Sequence, residues 1–124
     1  MYDKVKDSGE RQEFTTGSVR DKQEGKGRYD LIPPYPLKRL AVHYENGARK
    51  YTERNWEKGQ DTARYYESAM RHLLSYMEGD RSEDHLSAVV WNVFGLIFTE
   101  EMIRLGKLPP ELDTLPKPGT YNQI

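Results

Sequence analysis

His85 and Asn92 stand inside "EDHLSAVVWNVFGLIFTEE", Glu83–Glu101, the most apolar stretch of the chain. They are seven residues apart, which is two helical turns, so in a helix both project along one line. His85, Ala88, Asn92, Gly95 and Thr99 fall within about 80° of one another at helical spacing. Large apolar residues, Val89, Val90, Trp91, Val93, Phe94, Leu96, Ile97 and Phe98, fill the rest of the circumference. An amide buried without a partner costs about 1–3 kcal/mol, so this stripe needs hydrogen-bond partners or a wet cavity. Either its small residues let another helix come close, or it lines a polar pocket opening onto the preceding helix. On that preceding helix Glu67, Arg71 and Glu78 share one stripe, which reads first as a solvated face with an i,i+4 pair from Glu67 to Arg71. His72 lies on the edge of the apolar arc, where a lone histidine reads as a hydrogen-bonded core residue.

A second constellation is "KYTERNWEKG", which puts Lys50, Arg54, Asn55 and Trp56 within seven residues. Cations, an amide and an indole are the groups that hold phosphate and base in nucleotide sites. "GKGRYD" adds Lys26 and Arg28 between glycines. The GxxxxGK[ST] spacing of a P-loop is absent, as are GxGxxG, HExxH and EF-hand patterns. "DH" at 84–85 reverses the His-Asp order of HD-type phosphohydrolases.

The totals narrow the setting. The chain has 124 residues, which suits a single domain over 1–124, with 31% charged and 35% hydrophobic residues. Net charge is -1 and the pI about 6.3, so no overall basic field favours nucleic acid, and no specific nucleic-acid binding is expected. Without cysteine, disulfides and thiolate metal sites are excluded. No secretory leader pattern and no apolar run of about 20 residues stands out, so a cytoplasmic protein that does not enter membranes is expected.

The elements that must position these residues read as all-α. Residues 1–33 form an irregular arm, with 1–12 flexible and no strand-like alternation. A first helix starts near Pro36 and follows Leu37, Leu40, Ala41, Tyr44, Ala48 and Tyr51. Asp61 or Thr62 caps a second helix, whose apolar stripe is Tyr66, Ala69, Met70, Leu73 and Met77, ending at Gly79. Asp80 with Glu83 suits the N-terminal cap of a third helix, which runs to about Leu105 and stops at Gly106. Residues 107–124 form an extended tail. A helix apolar nearly all round needs covering on every side. One copy of the chain has little left to cover it, so a homo-oligomer, dimer or tetramer, is expected to complete the core.

Four blocks, "EFTTGSVRD…GKGRYDLIPP", "YENGARKYTERNWEKG", "AMRHL" and "EDHLSAVVWN", resemble in order and spacing the dATP/dGTP diphosphohydrolase family of phages and bacteria. The resemblance runs from about Glu13 to Leu115. That family is similar to the MazG-like all-α nucleoside triphosphate pyrophosphohydrolases. The resemblance implies a MazG-like bundle of about three main helices. It also implies hydrolysis of dGTP or dATP to monophosphate and pyrophosphate, in a nucleotide pool serving phage DNA metabolism. Mg²⁺ is the implied cofactor, held by carboxylates of two antiparallel helices.

The superfamily pattern is Glu-x-x-Glu on one helix and Glu-x-x-Asp on the next. Laid on this chain, the first pair falls at Glu67 and Met70 and the second at His85 and Ala88, so only Glu67 is retained. The resemblance therefore assigns metal to Glu67 and Asp84, with Glu45, Glu78 and Asp80 as further carboxylates. His85 is a ligand for a softer ion such as Mn²⁺, a phosphate contact, or the group that orients the attacking water. Glu67 and His85 are the implied catalytic residues. Lys26, Arg28, Lys50 and Arg71 are assigned to phosphate, Asn55 and Trp56 to base or sugar, and Asn92 to the pocket. Two rival expectations are a purine nucleotide-binding regulator without turnover and a small partner-binding module built on the third helix.

Overall fold

In the computed structural model residues 5–122 are described. The chain divides into two compact units, Met1–Pro33 and Pro34–Ile124. The first unit holds an antiparallel hairpin of β1 (Arg11–Glu13) and β2 (Val19–Asp21), with Arg11 opposite Asp21 and Glu13 opposite Val19. Its turn is closed by the Phe14 N–H donating to the Ser18 carbonyl (2.8 Å), with Gly17 at φ +85°. This corrects the strand-free reading of the arm. The strands are three residues long and almost wholly exposed, so no apolar alternation marks them. Of the stretch expected to be flexible, residues 1–4 lie outside the described residues, and Arg11 and Gln12 are paired in β1. Asp21 gathers the unit, accepting from the Ser8 N–H (3.1 Å), the Ser8 hydroxyl and Lys26 Nζ (3.2 Å). Arg28 clamps Asp30 through two bonds of 2.8 Å.

The second unit is a three-helix arrangement of α1 (Pro34–Lys50), α2 (Thr62–Met77) and α3 (His85–Arg104), the all-α order expected of a MazG-like chain. Gly79 and Gly106 end α2 and α3 as the sequence predicts. At each, the glycine N–H and the next N–H bond back into the last turn: Gly79 to Tyr76, Asp80 to Ser75, Gly106 to Ile103 and Lys107 to Met102. Both glycines take a positive φ, +92° and +73°, the backbone this cap requires.

The helix starts differ from expectation. Asp84, not Asp80, caps α3, accepting from the Ser87 N–H (3.1 Å) and hydroxyl (2.7 Å). The Asp61 side chain makes no cap bond to α2. The tail does that work instead. Thr114 Oγ1 accepts from the Ala63 N–H and the Thr114 N–H donates to Thr62 Oγ1, both at 3.0 Å. Thr114→Val is expected to lower stability by about 1 kcal/mol in urea unfolding, the worth of a lost cap. Within the expected extended tail, Pro110–Leu112 forms a 3-10 turn; Gln123 and Ile124 lie outside the described residues.

The core sits between α2 and α3. His72 meets His85, and Tyr65 meets Trp91 and Gly95, so the two helices run antiparallel. The buried line of α3 is the stripe His85, Ala88, Asn92, Gly95 and Thr99, joined by Ser87. Its small residues let α2 come close, and Tyr65, 1% exposed, lies against Gly95. The buried residues of α2 are Thr62 and Tyr65, whereas Tyr66, Met70, Leu73 and Met77 of the expected apolar stripe are exposed. Val90, Val93, Phe94 and Ile97 of α3 are likewise exposed. The expectation of a second copy concerns these uncovered apolar residues. By length and composition alone α3 is long and apolar enough to cross a bilayer, in contrast to the sequence reading. Yet His85, Asn92 and Thr99 are all buried along it.

Candidate functional site

A cleft of about 660 Å³ opens in the second unit between the C-terminal half of α1, the connection to α2, and the facing sides of α2 and α3. Its cations are Lys50, Arg54 and Arg64, its amides Asn46, Asn55, Gln60 and Asn92, and its aromatic walls Tyr44, Tyr51, Trp56 and Trp91. The helical repeat explains the α1 wall. His43, Gly47 and Lys50 are spaced by four and three, so they share one face.

The connection supplies the opposite wall. Asn55–Lys58 forms a single 3-10 turn, and Arg54 precedes it at φ +58°. Arg54 is the one non-glycine residue with positive φ among the described residues, a backbone that costs about 1–2 kcal/mol. Its guanidinium bonds Glu57 at 2.6 Å. Trp56 stands edge-on to Tyr44 (6.1 Å, 80°) and Phe98 (5.1 Å, 85°). Gly59 follows at φ +89°, where a side chain would strike Leu112 (2.8 Å) and Leu108 (3.0 Å) of the tail.

At the α2–α3 end of the cleft three titratable side chains meet. His72 Nδ1 lies 2.9 Å from His85 Nδ1, and Glu83 Oε1 lies 3.6 Å and 3.9 Å from these two nitrogens. His85 is 5% exposed, and its Nε2 is 3.0 Å from Asp80 Oδ2. The hydroxyl and N–H of Ser82, with His85 beside them, hold the Asp80 carboxyl well below the usual carboxylate range. An ionised carboxylate only accepts, so Nε2 of His85 carries the proton. The third histidine of the chain, His43, is half-buried against Trp91 (6.1 Å). Burial pushes its pKa below 6.5, the neighbouring His72 lowers it further, and Asp84 and Glu83 oppose the shift.

The residues singled out in the sequence fall in four places. Lys50, Asn55, Trp56 and Asn92 line the cleft together with Arg54 and His72. Asn92 Nδ2 donates to the Ala88 carbonyl (2.8 Å) one turn back. His85 reaches the cleft's edge through His72. Glu67 and Arg71 do not line it. They are paired with each other on the outer surface of α2, and Arg64 Nη1 reaches Glu67 at 3.2 Å. Asp84 is likewise engaged elsewhere. Arg39 Nε donates to it at 3.0 Å, and this pair keeps its carboxyl well below the usual range. Lys26 and Arg28 belong to the first unit, where they pair with Asp21 and Asp30. His43, Arg64, Glu83 and Trp91 line the cleft without having been singled out. For His43 the signal was present: it lies seven residues before Lys50.

The implied Mg²⁺ asks for a particular set of ligands. The ion takes oxygen ligands in near-octahedral array and keeps several waters. In this structure Glu67 is paired with Arg71 and Asp84 with Arg39. Among the described residues the donor set that converges is two imidazoles and one carboxylate, His72, His85 and Glu83.

The family described as "dATP/dGTP diphosphohydrolase, N-terminal" matches residues 16–107, which take in every cleft residue named above. The chain belongs to this family. Membership makes it one of a group named for a diphosphohydrolase, a hydrolase activity, and agrees with the three-helix order seen here. No curated protein and no solved structure gives a significant match.

Proposed function

We propose that the second unit hydrolyses a purine deoxynucleoside triphosphate to the monophosphate and pyrophosphate. The observation that carries this reading is the company Trp56 keeps. One cleft joins that indole to Lys50, Arg54 and Arg64, to the amides of Asn55 and Asn92, and to the edge of a histidine cluster. An aromatic face stacks a base, an amide reads its edge, and fixed cations neutralise a triphosphate. Phosphoryl chemistry asks for little covalent work from a protein, so positioning and charge carry the catalysis.

In this reading the purine lies against Trp56, with Asn55 at its edge, and the phosphates extend toward Lys50 and Arg54. Water attacks the α-phosphorus, the bond to the bridging oxygen breaks, and pyrophosphate leaves. His43 takes the proton of the attacking water. Its burial keeps the imidazole neutral at pH 7, with a lone pair to receive that proton.

The test is a product assay over the four dNTPs with Mg²⁺, Mn²⁺ or Zn²⁺ supplied in turn, read as monophosphate and pyrophosphate. dGTP or dATP is expected to turn over fastest. Tight binding of both without product over hours would replace hydrolysis by a purine nucleotide-binding regulator. The pH profile adds a sharper check. Because the His43 pKa is depressed, the imidazole stays unprotonated down past 6.5, and activity is lost only as pH falls through the lowered value. His43→Gln should cut kcat about 100-fold or more and remove that acid limb.

A further inference from the structure

We infer that His72, His85 and Glu83 form a binding site for an imidazole-preferring first-row dication, Zn²⁺ or Co²⁺ in class, and that Asp80 orients His85 within it. The inference deepens the hydrolase reading by naming the ion, and it stands on geometry alone. The three ligand atoms lie within 4.8 Å of one another. A dication with bonds of about 2.0–2.2 Å sets neighbouring ligand atoms roughly 3–3.5 Å apart. The two Nδ1 atoms, 2.9 Å apart, lie just short of that spacing. Glu83 Oε1, at 3.6 Å and 3.9 Å, is a few tenths of an ångström beyond it. The Glu83 side chain is 58% exposed and free to close that gap.

The tautomers favour the ion. With the proton of His85 on Nε2 and given to Asp80, its Nδ1 is a bare lone pair aimed into the cluster. That is the carboxylate–histidine arrangement which fixes the ring and raises its basicity toward a metal. Two bare nitrogens facing each other at 2.9 Å would repel, so without an ion one proton must lie between them. When a dication takes its place, the His72 proton moves by way of solvent to His72 Nε2, and both Nδ1 lone pairs face the ion. Two imidazoles to one carboxylate suit Zn²⁺, Fe²⁺, Co²⁺ or Ni²⁺ over Mg²⁺, which dehydrates reluctantly and prefers oxygen. Glu83 and His72 also line the cleft, so an ion held here faces whatever the cleft contains.

The test uses the full chain, stripped of metal by chelation, with no nucleotide present. Co²⁺ titration followed by visible absorption should show one site per chain with an imidazole-ligand d–d band, which Zn²⁺ displaces and excess Mg²⁺ does not. His72→Gln and Glu83→Gln, at partly exposed positions, should fold normally and weaken Co²⁺ binding at least 10-fold. Asp80→Asn should weaken it about 10–100-fold while keeping the band, as loss of an orienting partner does. His43→Gln should leave binding unchanged. Co²⁺ binding indifferent to both His72→Gln and Glu83→Gln, or displaced equally by Mg²⁺, would overturn the site. The readout contains no turnover, so its failure and the failure of dNTP hydrolysis are separate results.

Discussion

Replacing Gly95 with alanine should destabilise the protein by about 2–3 kcal/mol, the cost of overpacking a closed core. A Cβ at Gly95 would stand 2.7 Å from Tyr65 Cζ and closer still to Cε1. The ring cannot step aside. Tyr65 is 1% exposed and packs tilted by 55° against Trp91, 5.9 Å between ring centres. Burial raises the pKa of its phenol, so that end too is enclosed. Relief requires α2 to move off α3, which would separate His72 from His85. The change should therefore appear as a lower urea midpoint and weaker ion binding together. Gly47→Ala is the control. It sits inside α1 with nothing within 4 Å of an added Cβ, and should raise stability by about 0.5–1 kcal/mol.

The second large effect is expected from Lys50→Ala. The cleft has three cations, and two are already answered: Arg54 by Glu57 and Arg64 by Glu67. Among the described residues Lys50 has no carboxylate within ion-pair distance, only the Tyr51 ring at 5.2 Å. A cation left unpaired beside a cleft is the one best placed to meet a phosphate. A hydrogen bond to a charged group is worth about 1.5–3 kcal/mol, so kcat/KM should fall about 10–150-fold. Steady-state kinetics on the preferred dNTP measure it. The unfolding midpoint should stay put, because the Lys50 side chain holds no part of the core together. Unchanged kcat/KM would move the triphosphate away from this end of the cleft.

The stripe His85, Ala88, Asn92, Gly95, Thr99 was legible in the sequence because a period of 3.6 leaves few ways to place five small or polar residues among large apolar ones. The glycine stops of α2 and α3 were legible for the same local reason. What α2 turns toward that stripe was not. Pattern alone favours Met70, Leu73 and Met77, but small residues on α3 admit the wider ring of Tyr65 and leave the methionines outside. The cap of α3 was misread: local spacing pointed to Asp80 with Glu83. The choice falls to Asp84, which also meets Arg39 on a distant helix. The histidine cluster depends on the antiparallel register of α2 and α3, which no window along one helix contains. The superfamily pattern drew attention to Glu67, whose carboxylate in the fold answers Arg64 and Arg71.

The tail that caps α2 has a further consequence for recognition. Leu108 and Leu112 close over Gly59, and Thr114 ties down Thr62, so the segment bearing Asn55 and Trp56 is gripped just beyond its end by residues some fifty positions later. A free loop would lose about 1–2 kcal/mol of conformational entropy per residue when it ordered around a base. Here that ordering is completed during folding. A ligand meeting Trp56 finds the indole already standing against Tyr44 and Phe98, and the free energy of stacking can go into holding the ligand.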